Sequence, residues 1–359
     1  MPLTQVQSGM MDSVAQYNGF KNRLINGAMV IDQRNNGASV SVALSTYGVD
    51  RFMSAEDTDG TLSVQQVSDA PTGFTKSIRF TVGTADSSLT STQYAYFRQA
   101  IEGYNFADLA FGTTSAATVT VSFWVKSSVA GLYSGKLASS NHDRCNAFSF
   151  TINAANTWEQ KTVTITGDLT GTWLTTNGVG AYLHFCLCSG STYLQSSTGV
   201  WQAGTFLGAT GTTNLMATAG ATFLVTGVQL EKGSTATSFD YRPYTTELQL
   251  CQRYLPMMFV NPVFGLTGQC YTSQNVLVSY PFKVTPRVAP TGIIVSSASG
   301  GSLSTSTANQ VATNSIAFYN GGVDYCSLVL SVATTPFTAG HATLFAPSST
   351  TIQFTGCEL

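Results

Sequence analysis

The stretch "VTVSFWVKSS", residues 119–128, sets Val119, Val121, Phe123 and Val125 on one side of an extended chain and Thr120, Ser122, Trp124 and Lys126 on the other. Side chains alternate across a strand with period two, so this pattern marks an antiparallel strand with one buried face. The same rhythm returns in "TKSIRFTVG" (75–83), which aligns Ile78, Phe80 and Val82. It returns again in "EQKTVTIT" (159–166), with Val163 and Ile165, and in "AYLHFCLC" (181–188), with Ala181, Leu183, Phe185 and Leu187. "ATFLVTGVQLEKG" (221–233) reads as a further strand.

Polar stretches such as "TGDLTGT" (166–172) and "ATGTTN" (209–214) separate these runs and supply the residues that turns require. Short strands joined by polar turns predict an all-β chain, with a jelly-roll β-sandwich over residues 20–243. "YNFADLAFG" (104–112) could add a turn of helix, as could "DSVAQY" (12–17). Residues 1–19 are polar, contain two glycines and show no sustained period, which predicts an N-terminal docking arm.

The β rhythm breaks in "YTTELQLCQRYLPMM", where Leu248, Cys251, Tyr254 and Leu255 recur at intervals of three and four. That spacing predicts a helix over 245–255 within a connector at 244–258. Thr245 or Thr246 would be its N-cap, Glu247 would favour the helix dipole, and Pro256 would end it. Beyond it, "NVLVSYPFKVTP", "TGIIVSS", "NSIAFYN", "YCSLVLSVA" and "TIQFTGCEL" predict a smaller C-terminal β-sandwich domain over 259–359.

Composition narrows the function. Charged residues are 9% of the 359 and the formal net charge is −2, against about 25% charged residues in ordinary globular proteins. No basic run exists to grip phosphates, which argues against nucleic-acid binding. No apolar stretch approaches the roughly 18 residues of a membrane helix. The N-terminus "MPLTQVQSGM" lacks the regions of a signal peptide, so the chain is expected to be made in a cytoplasm and not secreted. The seven cysteines match neither zinc-site nor disulfide-scaffold spacing, and read mainly as small apolar fillers. The "CLC" pattern is expected to put Cys186 and Cys188 on one strand face.

The ordered series "LINGAMVIDQRNNG" (24–37), "YGVDRF" (47–52), "VTVSFWVKSS" (119–128), "TWEQKTVTITGDLTGTW" (157–173) and "ATFLVTGVQLEKGSTATSFDYRPYTTELQLCQRY" (221–254) resembles tail-fibre and related appendage proteins of tailed bacteriophages. Its β portion is similar to carbohydrate-binding-module-like jelly rolls. The resemblance covers residues 20–255 well and the last hundred only loosely. It implies a virion protein assembled in the host cytoplasm, commonly a homotrimer, contacting other virion proteins through its N-terminal arm and host cell-surface polysaccharide through its β domains. The helix after "TTEL" would then pack near a threefold axis, or simply on its own chain. A capsid-decorating or adaptor part with no ligand is the alternative from a different class. Low charge suits assembly, because contacts made without ions respond little to salt.

No enzyme is expected. A glycan hydrolase needs a carboxylate pair flanking the sugar, and "SAEDTDG", with Glu56, Asp57 and Asp59, reads as a solvated loop. "NHDRC" places His142 near Cys145, but an activated Cys/His pair needs spatial reach and an orienting third group. "GATGTTN" lacks the lysine of a phosphate loop.

Glycan binding uses exposed aromatics that stack on sugar rings and polar groups that read the hydroxyls. Trp173, Tyr193 and Trp201 lie in or beside turn-rich stretches where loops could present them. Against this stands the general fact that an aromatic in a sandwich is more often core than platform; Trp124 and Trp158, inside strand patterns, read as core or sheet-face residues. No cofactor is expected. Structural calcium in jelly rolls of this kind would have to draw on Asn26, Asp32 and Glu231, which form no acidic cluster in sequence.

Overall fold

The structure, a computed structural model, describes residues 20–258, 265–305, 310–347 and 350–359. The expected arm at 1–19 lies outside the described residues, as does "DSVAQY". The chain divides into two compact units, one ending at Pro243 and one running from Tyr244 to Leu359.

The first unit is built around two large antiparallel sheets, with a small parallel pair of Leu194–Gln195 and Gly208–Ala209 beside them. One has six strands in the order Val40–Ser41, Leu62–Val67, Ser77–Val82, Thr222–Lys232, Val119–Ser127, Glu159–Ile165. The other has seven, in the order Trp201–Gln202, Cys145–Ile152, Gly131–Ala138, Val179–Ser189, Tyr94–Glu102, Phe52–Asp57, Thr46–Val49. Neighbours in space are often distant in sequence, so pairing is set by which faces are apolar and not by hairpins alone.

The alternation in 119–128 is realised as a buried inner face: Val119, Val121, Phe123 and Val125 are all fully buried. They meet Phe80 and Phe223 of their own sheet and Phe97, Tyr133, Phe150 and Phe185 of the facing one in a single core. Phe97 and Phe185 stack at 4.9 Å and 9°, and Phe123 meets Phe185 edge-on at 4.9 Å. Such aromatic pairs add about 0.5–1.5 kcal/mol beyond their buried area.

Part of the opposite face of the six-stranded sheet, along Thr222–Lys232 and at Thr120, is covered by residues of the same chain. Thr120 Oγ1 donates to the Gly233 carbonyl and Thr226 Oγ1 to the Ala28 carbonyl. Asn22 sends its amide to Val228 O and receives Leu230 N on its Oδ1. The segment from Phe20 onward is thereby laced to the last strand.

One local expectation holds and another changes. "YNFADLAFG" does form short 3-10 turns, at Gly103–Asn105 and Ala107–Leu109. Cys186 and Cys188, however, do not share a face. The register against Tyr94–Glu102 shifts between them, so Cys186 opposes Tyr96 while Cys188 opposes Ala95. A bulge of this kind turns one residue over, and Cys188 alone of the two joins the apolar core. All seven cysteines are buried. Burial pushes the Cys186 and Cys326 thiols up to about 12 and Cys357 up to about 11.

The second unit holds the one α-helix among the described residues, Tyr244–Gln252. It starts one residue earlier than expected, so Thr245 and Thr246 lie inside the first turn and not at the cap. Glu247 is in that turn, and Cys251, Tyr254 and Leu255 are buried. The helix is grouped with the second unit. A seven-stranded sheet (Val311–Ala312, Gly301–Ser304, Ala342–Pro347, Leu266–Cys270, Asn275–Pro281, Tyr325–Ser331, Ser315–Gly321) and a three-stranded sheet (Met257–Met258, Ile352–Thr355, Gly292–Val295) enclose a core around Val276, Val278, Leu328, Phe345 and Phe354. The fold is all-β in both units apart from this helix and the short turns. No helix among the described residues is long and apolar enough to cross a membrane.

Candidate functional site

A cleft of about 190 Å3 opens on the outer face of the first unit's seven-stranded sheet. Its lining is Tyr94, Tyr96, Arg98, Lys136, His142, His184, Tyr193, Thr205 and Leu207. The strands place these groups by simple alternation. Along Tyr94–Glu102, Ala95, Phe97 and Ile101 point into the core, which turns Tyr94, Tyr96 and Arg98 outward. Along Val179–Ser189, Leu183 and Phe185 point inward and Tyr182 and His184 outward.

Register then brings the outward residues together. His184 is paired with Arg98 on one side and with Lys136 on the other, so three basic side chains stand in one row across three adjacent strands. Tyr96 and Tyr182 flank the row. The Arg98 guanidinium lies over the Tyr182 ring at 4.3 Å and near the Tyr96 ring at 5.9 Å, a cation–π arrangement. The His184 ring packs 5.1 Å from that of Tyr96.

His142 closes the cleft from the loop joining Gly131–Ala138 to Cys145–Ile152. Its backbone is left-handed, at φ 56°, a conformation unusual for a residue with a Cβ and one that concentrates at functional positions. The turn lays its imidazole parallel to Tyr182, at 5.5 Å and 14°. Lys136 Nζ donates to His142 Nδ1 at 3.3 Å. An ammonium has no lone pair, so Nδ1 must accept and the imidazole must be neutral. The electrostatics agree: burial, followed by the charges of Lys136 and Arg98, pulls His142 down to about 4. Burial likewise lowers Lys136 to about 8 and holds His184 well below the ordinary histidine value.

Of the expected aromatics, only Tyr193 reaches this cleft, meeting Tyr94 edge-on at 5.7 Å. Trp173 is 8% exposed and offers no open face. It stacks on Phe106 at 5.5 Å, and its indole N–H donates to Asp168 Oδ2; Arg144 grips the same carboxylate, Nε on Oδ2 at 2.8 Å and Nη2 on Oδ1 at 2.7 Å. Trp201 is partly buried against the core, edge-on to Trp173 at 5.4 Å, with its N–H on the Thr166 carbonyl at 2.8 Å. These two tryptophans seal one end of the sandwich.

The oxygens considered for calcium are engaged in hydrogen bonds of their own. Asn26 bonds Ile31 and Asp50 backbone groups, Asp32 accepts from the Asn35 and Gly37 amides, and Glu231 accepts from Gln229 and Thr237. Each is occupied in bracing its own loop or strand. Among the described residues no three His, Cys, Asp or Glu side chains come together as a metal site. Cys145, the neighbour of His142 in sequence, has its thiol raised by burial, the opposite of an activated nucleophile.

From sequence, Tyr193 is considered as a glycan contact and His142 only as a possible partner of Cys145; the other cleft residues are not singled out. The signal was present in "STQYAYFRQA" (91–100), where Tyr94, Tyr96 and Arg98 alternate with apolar residues. Lys136 and His184 gave none, because only the strand register makes them neighbours of Arg98.

No family model matches the chain, and no curated protein matches it. Among solved structures it is similar to a sugar-binding protein, described as putative, from Bacteroides thetaiotaomicron, at 10% identity over 59% of this chain and 100% of that one, with a TM-score of 0.36. It is similar to the enzymatically active domain of tailspike protein 4 of bacteriophage CBA120, at 13% identity over 59% of this chain, with a TM-score of 0.33. The match spans only 21% of that tailspike chain. A family 11 carbohydrate-binding module from Clostridium thermocellum matches at 13% identity over 55% of this chain and 98% of its own, with a TM-score of 0.28.

Proposed function

We propose that the first unit is a glycan-binding domain and that its binding site is the cleft on the outer face of the seven-stranded sheet. The observation that carries this is the composition of the lining. Four aromatic side chains in and beside the cleft, Tyr94, Tyr96, Tyr182 and Tyr193, offer ring faces and edges to the apolar side of a sugar, while Arg98, Lys136 and the histidines offer donors to its oxygens. At about 190 Å3 the cleft is smaller than drug-sized ligand sites of about 300–1,000 Å3, which suits a short contact with a sugar rather than burial of a long chain. Among the described lining residues there is no carboxylate. Glycoside hydrolysis in its common form needs two, so the reading is of a binder and not a catalyst.

The wider role proposed is that of a bacteriophage tail appendage, assembled in the host cytoplasm as a homotrimer and attaching the particle to host surface polysaccharide. Its support is the ordered sequence resemblance over residues 20–255 together with a cleft equipped for sugars. The test is direct. Purified full-length protein should adhere to host cells or extracted polysaccharide, and Tyr94→Ala and Tyr193→Ala should each weaken adhesion about tenfold while leaving the melting temperature near that of the parent. Adhesion unaffected by either variant would move the site elsewhere. No adhesion to any surface glycan would favour an architectural virion part.

A further inference from the structure

The row formed by Lys136, His184 and Arg98 needs an explanation that neutral-sugar binding does not give. Lys136 and Arg98 stand on either side of His184 and both disfavour its charged form, and a buried charge is normally paired with its opposite. Lys136 is fully buried and its recorded hydrogen bond is to the neutral His142. His184 is 1% exposed, and neither ring nitrogen has a hydrogen-bond partner among the described residues. Arg98 faces aromatic rings on both sides. Asp143, on the His142 loop, acts on His142, and its carboxylate accepts from the Ser139 hydroxyl. Glu56 and Asp57 act on Tyr94 at the far end of the cleft. The thiols beside Lys136, Cys145 and Cys186, are held protonated by burial. Among the described residues, no lining side chain carries a negative charge to balance the cations.

Resting on the glycan reading above, we infer that the ligand of this cleft is an anionic sugar residue, bearing a carboxylate or sulfate that docks between Arg98, Lys136 and His184. Arg98 supplies planar paired donors and Lys136 a desolvated point charge, the two complementary ways of holding such a group. A sugar ring beyond the acid would lie against Tyr96 and Tyr193. The row is then a half-built set of ion pairs completed by the ligand, and the like-charge repulsion of the free protein is relieved on binding.

The experiment measures binding of the full-length protein to matched pairs: oligogalacturonate and its carboxyl-reduced form, and sulfated galactan and its desulfated form, with free acetate and free sulfate as controls. Nitrogen NMR of the His184 ring serves as a second readout. The expected result is at least tenfold tighter binding of the acidic member of a pair, weakening as salt rises from low to high. Arg98→Gln and Lys136→Met should each remove that preference while the protein still melts cooperatively. Equal binding of acidic and neutral members overturns the inference and leaves the glycan reading standing. Free sulfate or acetate shifting the His184 signals with no sugar bound upholds the anion site and overturns the glycan reading. No binding by any probe, with His184 signals unmoved, overturns both.

Discussion

Lys136 Nζ lies 3.3 Å from His142 Nδ1, a buried ammonium donating to an imidazole that must stay neutral to receive it. The pair fixes the direction of a pH effect. His142 is lowered to about 4, and His184 also lies well below its ordinary value. Unfolded, both would bind protons near pH 6.5. Below that pH the unfolded state takes up protons that the folded state refuses, so stability falls as pH drops from 6.5 toward 4. Proton NMR should show His142 titrating near 4, and urea unfolding should show a pH slope in this window that His142→Phe reduces. A His142 titration near 6.5 would refute the arrangement.

Replacing Lys136 by methionine should stabilise the protein. The side chain keeps its length and loses a charge that no carboxylate balances, a change that is often neutral or favourable by about 1–4 kcal/mol. For a unit of this size that corresponds to a rise of about 2–4 °C in melting temperature per kcal/mol. A lower melting temperature would show that the ammonium is structural.

At the sealed end of the sandwich the opposite holds. Asp168 is 1% exposed and receives both Arg144 and the Trp173 indole. Arg144→Ala would leave a buried carboxylate without its cation. The expected cost is about 3 kcal/mol, the lower end for a broken buried pair because Arg144 is itself partly exposed. Denaturant titration checks this, with Asp168→Asn as the companion that removes the charge instead.

Gly27 marks the closest approach of the N-terminal segment to the last strand. Val228 N donates to Gly27 O at 2.9 Å, and a Cβ on Gly27 would fall 2.1 Å from the Val228 carbonyl oxygen. Gly27→Ala should destabilise by about 1–3 kcal/mol and expose residues 20–31 to limited proteolysis at temperatures where the parent resists.

Much of the scaffold was legible because it depends on period-two alternation: Val121, Phe123, Ile78, Phe80, Leu183 and Phe185 were all assigned inward and are all buried. The site was far less so. Tyr193 could be proposed as an aromatic near a turn, and Trp173 on the same grounds, yet one borders the cleft and the other is walled in by Phe106 and Phe111. Nothing local distinguishes them. Lys136 and Arg98 are far apart in sequence and become neighbours only through the register of Val179–Ser189, a property of the pairing and not of any one segment. The Cys186/Cys188 expectation failed for a related reason, since a bulge resets alternation without a mark in composition.

The seven sequestered thiols have a practical consequence. A protonated, solvent-shielded sulfur reacts slowly with alkylating reagents and oxidants, so modification must wait for the chain around it to open. Cysteines in both units then act as intrinsic timers: Cys145, Cys186 and Cys188 report opening of the first sandwich, and Cys270, Cys326 and Cys357 that of the second. Mass spectrometry of alkylation over time would rank the local opening rates without any introduced label.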